Sequence, residues 1–198
     1  MKNRDNQQDG PSAIDVLIGT SLGFGFWPWG PGTAGAVFGT AVWGLYAWLL
    51  PSYTCVLALT LGLIILTTII SIAPINRLER FWGADPSRVV IDETVGMWIT
   101  LMAVPQSREW YYVLAAFILF RIMDIWKPLG CRRIDRHVRG GWGVMLDDIL
   151  AGVYGAIVLL AVRWVADGAH IPCHKLTGAI TGMMPDNPMS HLLVQMTA

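Results

Sequence analysis

Charge is scarce in this chain: only 14% of its 198 residues are Asp, Glu, Lys or Arg, against about 25% in ordinary soluble domains. Acids and bases balance at 14 each, so the formal net charge is zero and nothing favours nucleic acid as a partner. Cysteine is also scarce. Cys55, Cys131 and Cys173 form no CxxC pair, which excludes a disulfide framework and a ribbon-type zinc site. The first dozen residues, MKNRDNQQDGPS, lack the apolar core of a signal peptide. Membrane insertion is therefore expected to rest on internal segments. No internal repeat is present. Gly23-Phe24-Gly25 is not a dinucleotide fingerprint, because Pro28 follows and no strand precedes it.

Apolar sequence fills the space that charge leaves. Hydrophobic residues make up 54% of the chain and the mean hydropathy is +0.50. The composition predicts an all-α, multi-span helical membrane protein with a single compact domain over residues 13–166. Polar tails are expected at 1–12 and 167–198. The clearest span is Thr54–Ala73, twenty residues without a charge, enough to cross a bilayer as a helix. Ala34–Leu50 precedes it across the turn Pro51-Ser52-Tyr53. Val95–Val104 and Tyr111–Phe120 are each short for a span and predict either a helical hairpin or a re-entrant pair. Ile149–Ala166 closes the series, with Gly152 and Gly155 allowing close helix packing. If Val95–Phe120 goes out and back, eleven of the 14 Lys and Arg residues fall on one side. The positive-inside rule makes that side cytoplasmic.

Against this background two acidic pairs stand out, Asp92-Glu93 and Asp147-Asp148. Each sits beside an apolar run, where ionised carboxylates are costly. A single acid at a helix start is explained by the helix dipole; adjacent pairs are less well explained that way. Together the four carboxylates offer the oxygen-rich ligand set that Mg²⁺ prefers. No cluster rich in His or Cys competes for a softer metal. The glycine-rich stretch Gly140-Gly141-Trp142-Gly143 predicts a flexible loop delivering the second pair to the last span. Arg121, Asp124 and Lys127 are spaced three apart and cover about 120° of a helix. They make either a phosphate clamp or an ion-pair ladder at the membrane boundary. In Gly25–Gly35, Gly32 lets backbone approach a ligand and Thr33 adds a hydroxyl at a helix start, where amides suit phosphate. The plainer reading of that stretch is a Gly/Pro loop with interfacial tryptophans.

Other chemistries fit less well. Cys131 and Arg136 have four intervening residues where a phosphatase cysteine loop needs five. His170, Cys173 and His174 lie in a polar tail with no fourth ligand nearby, and His137 lies in a basic loop. An ion path would place acids within spans rather than at their ends, and the basic stretch Arg121–Arg139 favours an anionic partner. A structural scaffold would need neither the acidic pairs nor the Arg-Asp-Lys set.

Four ordered blocks carry a family resemblance. They are Pro31-Gly32-Thr33-x-Gly35; Asp85-Pro86 with Val89-Val90-x-Asp92-Glu93-x-x-Gly96; Phe120-Arg121-x-x-Asp124-x-x-Lys127-Pro128; and Gly140-Gly141 with Asp147-Asp148-x-x-Ala151-Gly152. Over about residues 12–166 the chain resembles the phosphatidylglycerophosphatase A family. Met123 and Leu129-Gly130 depart from the family's usual Phe and second Pro, without removing an ionisable group. The resemblance implies a Mg²⁺-dependent phosphoric monoester hydrolase of phospholipid biosynthesis, acting on phosphatidylglycerophosphate to give phosphatidylglycerol and phosphate. It also implies a multi-pass protein of the bacterial inner membrane. On this reading Asp92, Glu93, Asp147 and Asp148 hold Mg²⁺, some through water, and Arg121 and Lys127 bind phosphate. Asp124 orients Arg121 or completes the metal shell, and Gly32 and Thr33 contact substrate. Direct water attack and an aspartyl-phosphate intermediate both remain open, as does homo-oligomerisation.

Overall fold

The computed structural model describes residues 10–107, 109–127, 138 and 140–169, with side chains described to 165. The expectations for Arg108, for the basic stretch 128–137 with Arg139, and for the tail from His170 onward lie outside the described residues. Among those described, the secondary structure is all helical. The α-helices are α1 (Ala13–Gly19), α2 (Pro31–Leu49), α3 (Tyr53–Trp82), α4 (Ile91–Leu101), α5 (Trp110–Trp126) and α6 (Gly141–Ala169), with a 3₁₀ turn at Phe24–Phe26. The described chain divides into two compact units at Leu160–Ala161. The residues that build the functional cleft all lie in the first.

Local chemistry sets the helix ends. Gly30, at φ 145°, turns the chain into α2, and Pro31 supplies a preset φ in its first turn. Gly83, at φ 92°, ends α3. α3 continues for 30 residues, beyond the apolar run Thr54–Ala73 and through Pro74. Its last turns carry Asn76, Arg77 and Glu79. Arg77 donates two hydrogen bonds to the buried Asp15, at 2.7 and 2.6 Å, and so binds α1 to this extension.

α4 is the axis of the bundle, with nine of its eleven residues buried. Glycines on its neighbours allow close approach. A Cβ on Gly35 of α2 would lie 2.6 Å from the carbonyl of Val90, and one on Gly155 of α6 would lie 2.9 Å from Thr100 Oγ1. The bared carbonyls become acceptors: Thr94 Oγ1 donates to Gly35 at 3.2 Å, Trp98 Nε1 to Gly39 at 2.9 Å and Thr100 Oγ1 to Gly152 at 3.0 Å. Small residues and interhelical hydrogen bonds are how helices associate where no hydrophobic force separates protein from lipid.

Among the described residues, two helices are long and apolar enough to cross a membrane, Tyr53–Trp82 and Gly141–Val165. Most of the α3 span is exposed, including Leu59, Leu61, Ile65, Leu66, Ile69 and Ile70, whereas a soluble core helix would bury such side chains. α4, at eleven residues, is about 16 Å long, half a hydrocarbon core of about 30 Å. It therefore does not cross by itself. Its far end meets the start of α3, where the Tyr53 hydroxyl donates to the Val104 carbonyl at 2.5 Å.

The expected glycine loop is a helix start. Gly140, at φ 76°, makes the turn, and α6 begins at Gly141, whose N–H donates to Asn76 Oδ1 at 2.7 Å. A Cβ on Gly141 would sit 2.6 Å from the Ile72 carbonyl, so glycine here serves contact with α3. Asp147 and Asp148 consequently lie about two turns inside α6 rather than at its head.

Candidate active site

One cleft of about 760 Å³ gathers most of the residues singled out by sequence. α4 contributes Asp92 and Glu93, α5 contributes Arg121, Asp124 and Lys127, and α6 contributes Asp147 and Asp148; Gly30, Pro31 and Gly32 close it from the start of α2. Thr33 is exposed and does not line the cleft.

The acids divide by what they face. Asp92, Glu93 and Asp148 each point a carboxylate oxygen into one group, all within 4.8 Å of one another. Asp92 and Asp148 are buried and Glu93 is half-buried. Asp92 Oδ1 and Glu93 Oε2 are buried with no hydrogen-bond partner among the described residues. Three carboxylates crowded out of water repel one another, and two of them leave an oxygen without a donor, a costly arrangement unless a cation joins them. Oxygen-only ligands with unsatisfied lone pairs fit a hard divalent ion. Asp147 turns elsewhere and forms an ion pair with Lys127. Adjacent helical residues diverge by about 100°, which separates the two aspartates.

The cations are held in place. Arg121 Nη1 lies 2.5 Å from Asp124 Oδ2 in an i,i+3 pair. Asp124 is within interaction range of Asp148, so the pair abuts the acidic group. Lys127 ends α5 at φ 46°, a conformation that costs a non-glycine residue roughly 1–2 kcal/mol. That turn carries its ammonium off the helix to Asp147. Asp85, at φ 48°, also lines the cleft, and its N–H donates to Glu79 Oε1 at 3.3 Å.

Gly32 is closely walled by site side chains. A Cβ there would overlap Glu93 Oε1 and lie 3.3 Å from an Arg121 nitrogen. Gly32→Ala is therefore expected to lower turnover about tenfold or more by displacing both groups. Its helical content should stay unchanged, since Ala is the better helix former. Phosphate-release kinetics alongside circular dichroism check this; wild-type kinetics would mean that the two side chains move aside at no cost.

Sequence reasoning did not single out Asn76, Glu79 or Ser87. Asn76 caps α6, and the other two line the cleft. Their signal was the polar i,i+3 pair Asn76 and Glu79 just beyond Pro74, which marks one face of a helix leaving the apolar run.

Residues 17–163 match the family model described as Phosphatidylglycerophosphatase A. A Bacteroides thetaiotaomicron protein provisionally named phosphatidylinositol-3-phosphatase is 53% identical over 156 residues, covering 78% of this chain and 97% of that one. Phosphatidylglycerophosphatase A of Escherichia coli K12 is 38% identical over 147 residues, covering 72% of this chain and 80% of its own. The Haemophilus influenzae protein of that name is 45% identical over 80 residues, 40% of this chain and 48% of its own. No solved structure matches. With the family model covering most of its length, the chain belongs to the phosphatidylglycerophosphatase A family.

Proposed function

We propose that this protein is a Mg²⁺-assisted lipid phosphatase that hydrolyses the terminal phosphomonoester of phosphatidylglycerophosphate, releasing phosphatidylglycerol and inorganic phosphate. The carrying observation is one cleft in which three converging carboxylates meet two anchored cations. Asp92, Glu93 and Asp148 would hold the ion. When bound, Mg²⁺ offsets phosphoryl charge and makes water more acidic. Arg121 grips non-bridging phosphate oxygens with its planar fork, kept in orientation by Asp124. Lys127, steadied by Asp147, supplies a second positive charge where negative charge builds up in the transition state. In the net reaction water oxygen bonds to phosphorus, the bond from phosphorus to the glycerol oxygen breaks, and a proton ends on that oxygen.

On this reading the protein sits in a bacterial inner membrane with its cleft facing the cytoplasm; the exposed apolar faces of α3 and α6 and the uneven distribution of Lys and Arg support it. A cysteine at Ser87 should then label from the cytoplasm only and one at Ser107 from the opposite side only. Labelling of both from one side would reject this orientation.

The 53% identical relative named for a phosphoinositide supports a second reading in which the leaving group is an inositol lipid. Purified protein in nanodiscs, given either lipid at equal surface concentration, separates the two. The proposal expects kcat/KM at least about tenfold higher for phosphatidylglycerophosphate, equivalent to 1.4 kcal/mol of transition-state discrimination. The reverse preference would move the assignment to the inositol lipid.

A further inference from the structure

The stretch between α1 and α2 is more apolar at its surface than its site role requires. Leu22, Phe24, Phe26, Trp27 and Trp29 are all exposed, Trp29 at 88%. The stretch is nevertheless shaped. Phe24 packs on Phe38, seven residues into α2, with ring centroids 4.8 Å apart; this draws it along α2 by about 10 Å. Phe26 meets Trp82 at the end of α3 edge-on, with centroids 6.3 Å apart. Arg88 places its guanidinium 5.8 Å from the centroids of both Phe26 and Trp82. The next residues, Gly30, Pro31 and Gly32, line the cleft.

We propose that residues 22–29 form a lipid-seating platform at the mouth of the cleft, with aromatic rings among the headgroups and upper acyl chains of anionic phospholipid. Three observations select lipid as the occupant. Exposed tryptophans, with a polar N–H on an apolar ring, concentrate at membrane interfaces. The patch packs on Trp82 at the polar end of α3, one of the two helices among the described residues able to span, and so sits where that helix would leave the bilayer. Arg88 gives the patch a cation that complements anionic headgroups. The platform lets substrate reach Arg121 sideways from the bilayer, its acyl chains staying in lipid while the phosphate enters the cleft. This rests on the membrane reading above.

The test uses the full chain with its three cysteines replaced by Ser, in phosphatidylglycerol nanodiscs. An environment-sensitive fluorophore is attached at Trp29→Cys and, separately, at Leu66→Cys on the exposed face of α3. The platform predicts blue-shifted emission at both positions and quenching of both by lipids carrying a nitroxide on the upper acyl chain. Trp29→Ser should raise KM for long-chain substrate in nanodiscs about tenfold, the loss of roughly one well-buried side chain, and Trp29→Phe should restore most of it. On a short-chain, water-soluble substrate Trp29→Ser should match wild type. A label at position 29 that reports water while position 66 reports lipid overturns the platform and leaves the membrane reading intact. Water at both positions overturns both. Equal loss on soluble and embedded substrates also overturns the platform, since it would place Trp29 in the reaction itself.

Discussion

Asp148→Asn should reduce phosphate release roughly 10³-fold, the upper range for losing one group that stabilises transition-state charge. Asn keeps the size of the side chain and removes its anionic oxygen. Asp148 is buried, and its carboxylate oxygen lies within 4.8 Å of those offered by Asp92 and Glu93. The same substitution should leave the melting temperature in chelator unchanged or higher, because it relieves repulsion among buried carboxylates. That pairing of outcomes separates a functional acid from a structural one. Mg²⁺ should raise the melting temperature of wild type and do so much less in Asp148→Asn. Near-normal turnover of Asp148→Asn at saturating Mg²⁺ would remove the residue from the site.

Arg121→Lys should cost tenfold or more in kcat/KM, although formal charge is unchanged. Arg121 sits 2.5 Å from Asp124 and close against Gly32, so its fork is fixed before substrate arrives. A lysine would offer one point charge on a flexible stem and would not grip two phosphate oxygens at once. Losing one such contact at a catalytic centre typically costs about 2.7–4 kcal/mol. Lys127→Arg should be milder, because Lys127 acts through charge and is held by Asp147. The comparison belongs on short-chain phosphatidylglycerophosphate, where membrane access does not limit the rate. If Arg121→Lys matches wild type, the Arg121–Asp124 pair is an ion-pair ladder that supports α5 and nothing more.

All the ionisable residues of the cleft except Glu79 were legible, because charge is rare in this chain and their motifs border apolar runs. The all-helical class was legible for the same reason. Partnership was not. Nothing in the pair Asp147-Asp148 tells which member faces Lys127, twenty positions away; the rotation of α6 against α5 decides it. The start of α6 was also hidden. Gly140–Gly143 has the composition of a loop, yet Gly141 lies in a helix, and it is glycine because the Ile72 backbone passes too close for a side chain. The continuation of α3 through Pro74 was hidden too, since a proline usually marks a helix end. Here the continuation carries Arg77 to Asp15 and Asn76 to α6, tertiary contacts that local sequence does not display.

The central claim is that the acidic group and the two cations form one metal-assisted phosphatase centre. The most direct measurement is phosphate release from phosphatidylglycerophosphate by the purified protein in nanodiscs, first stripped with chelator and then titrated with Mg²⁺. Release should be absent after stripping, return with Mg²⁺ along a saturable curve, and fail to return in Asp148→Asn. Undiminished release from the stripped protein would contradict the account.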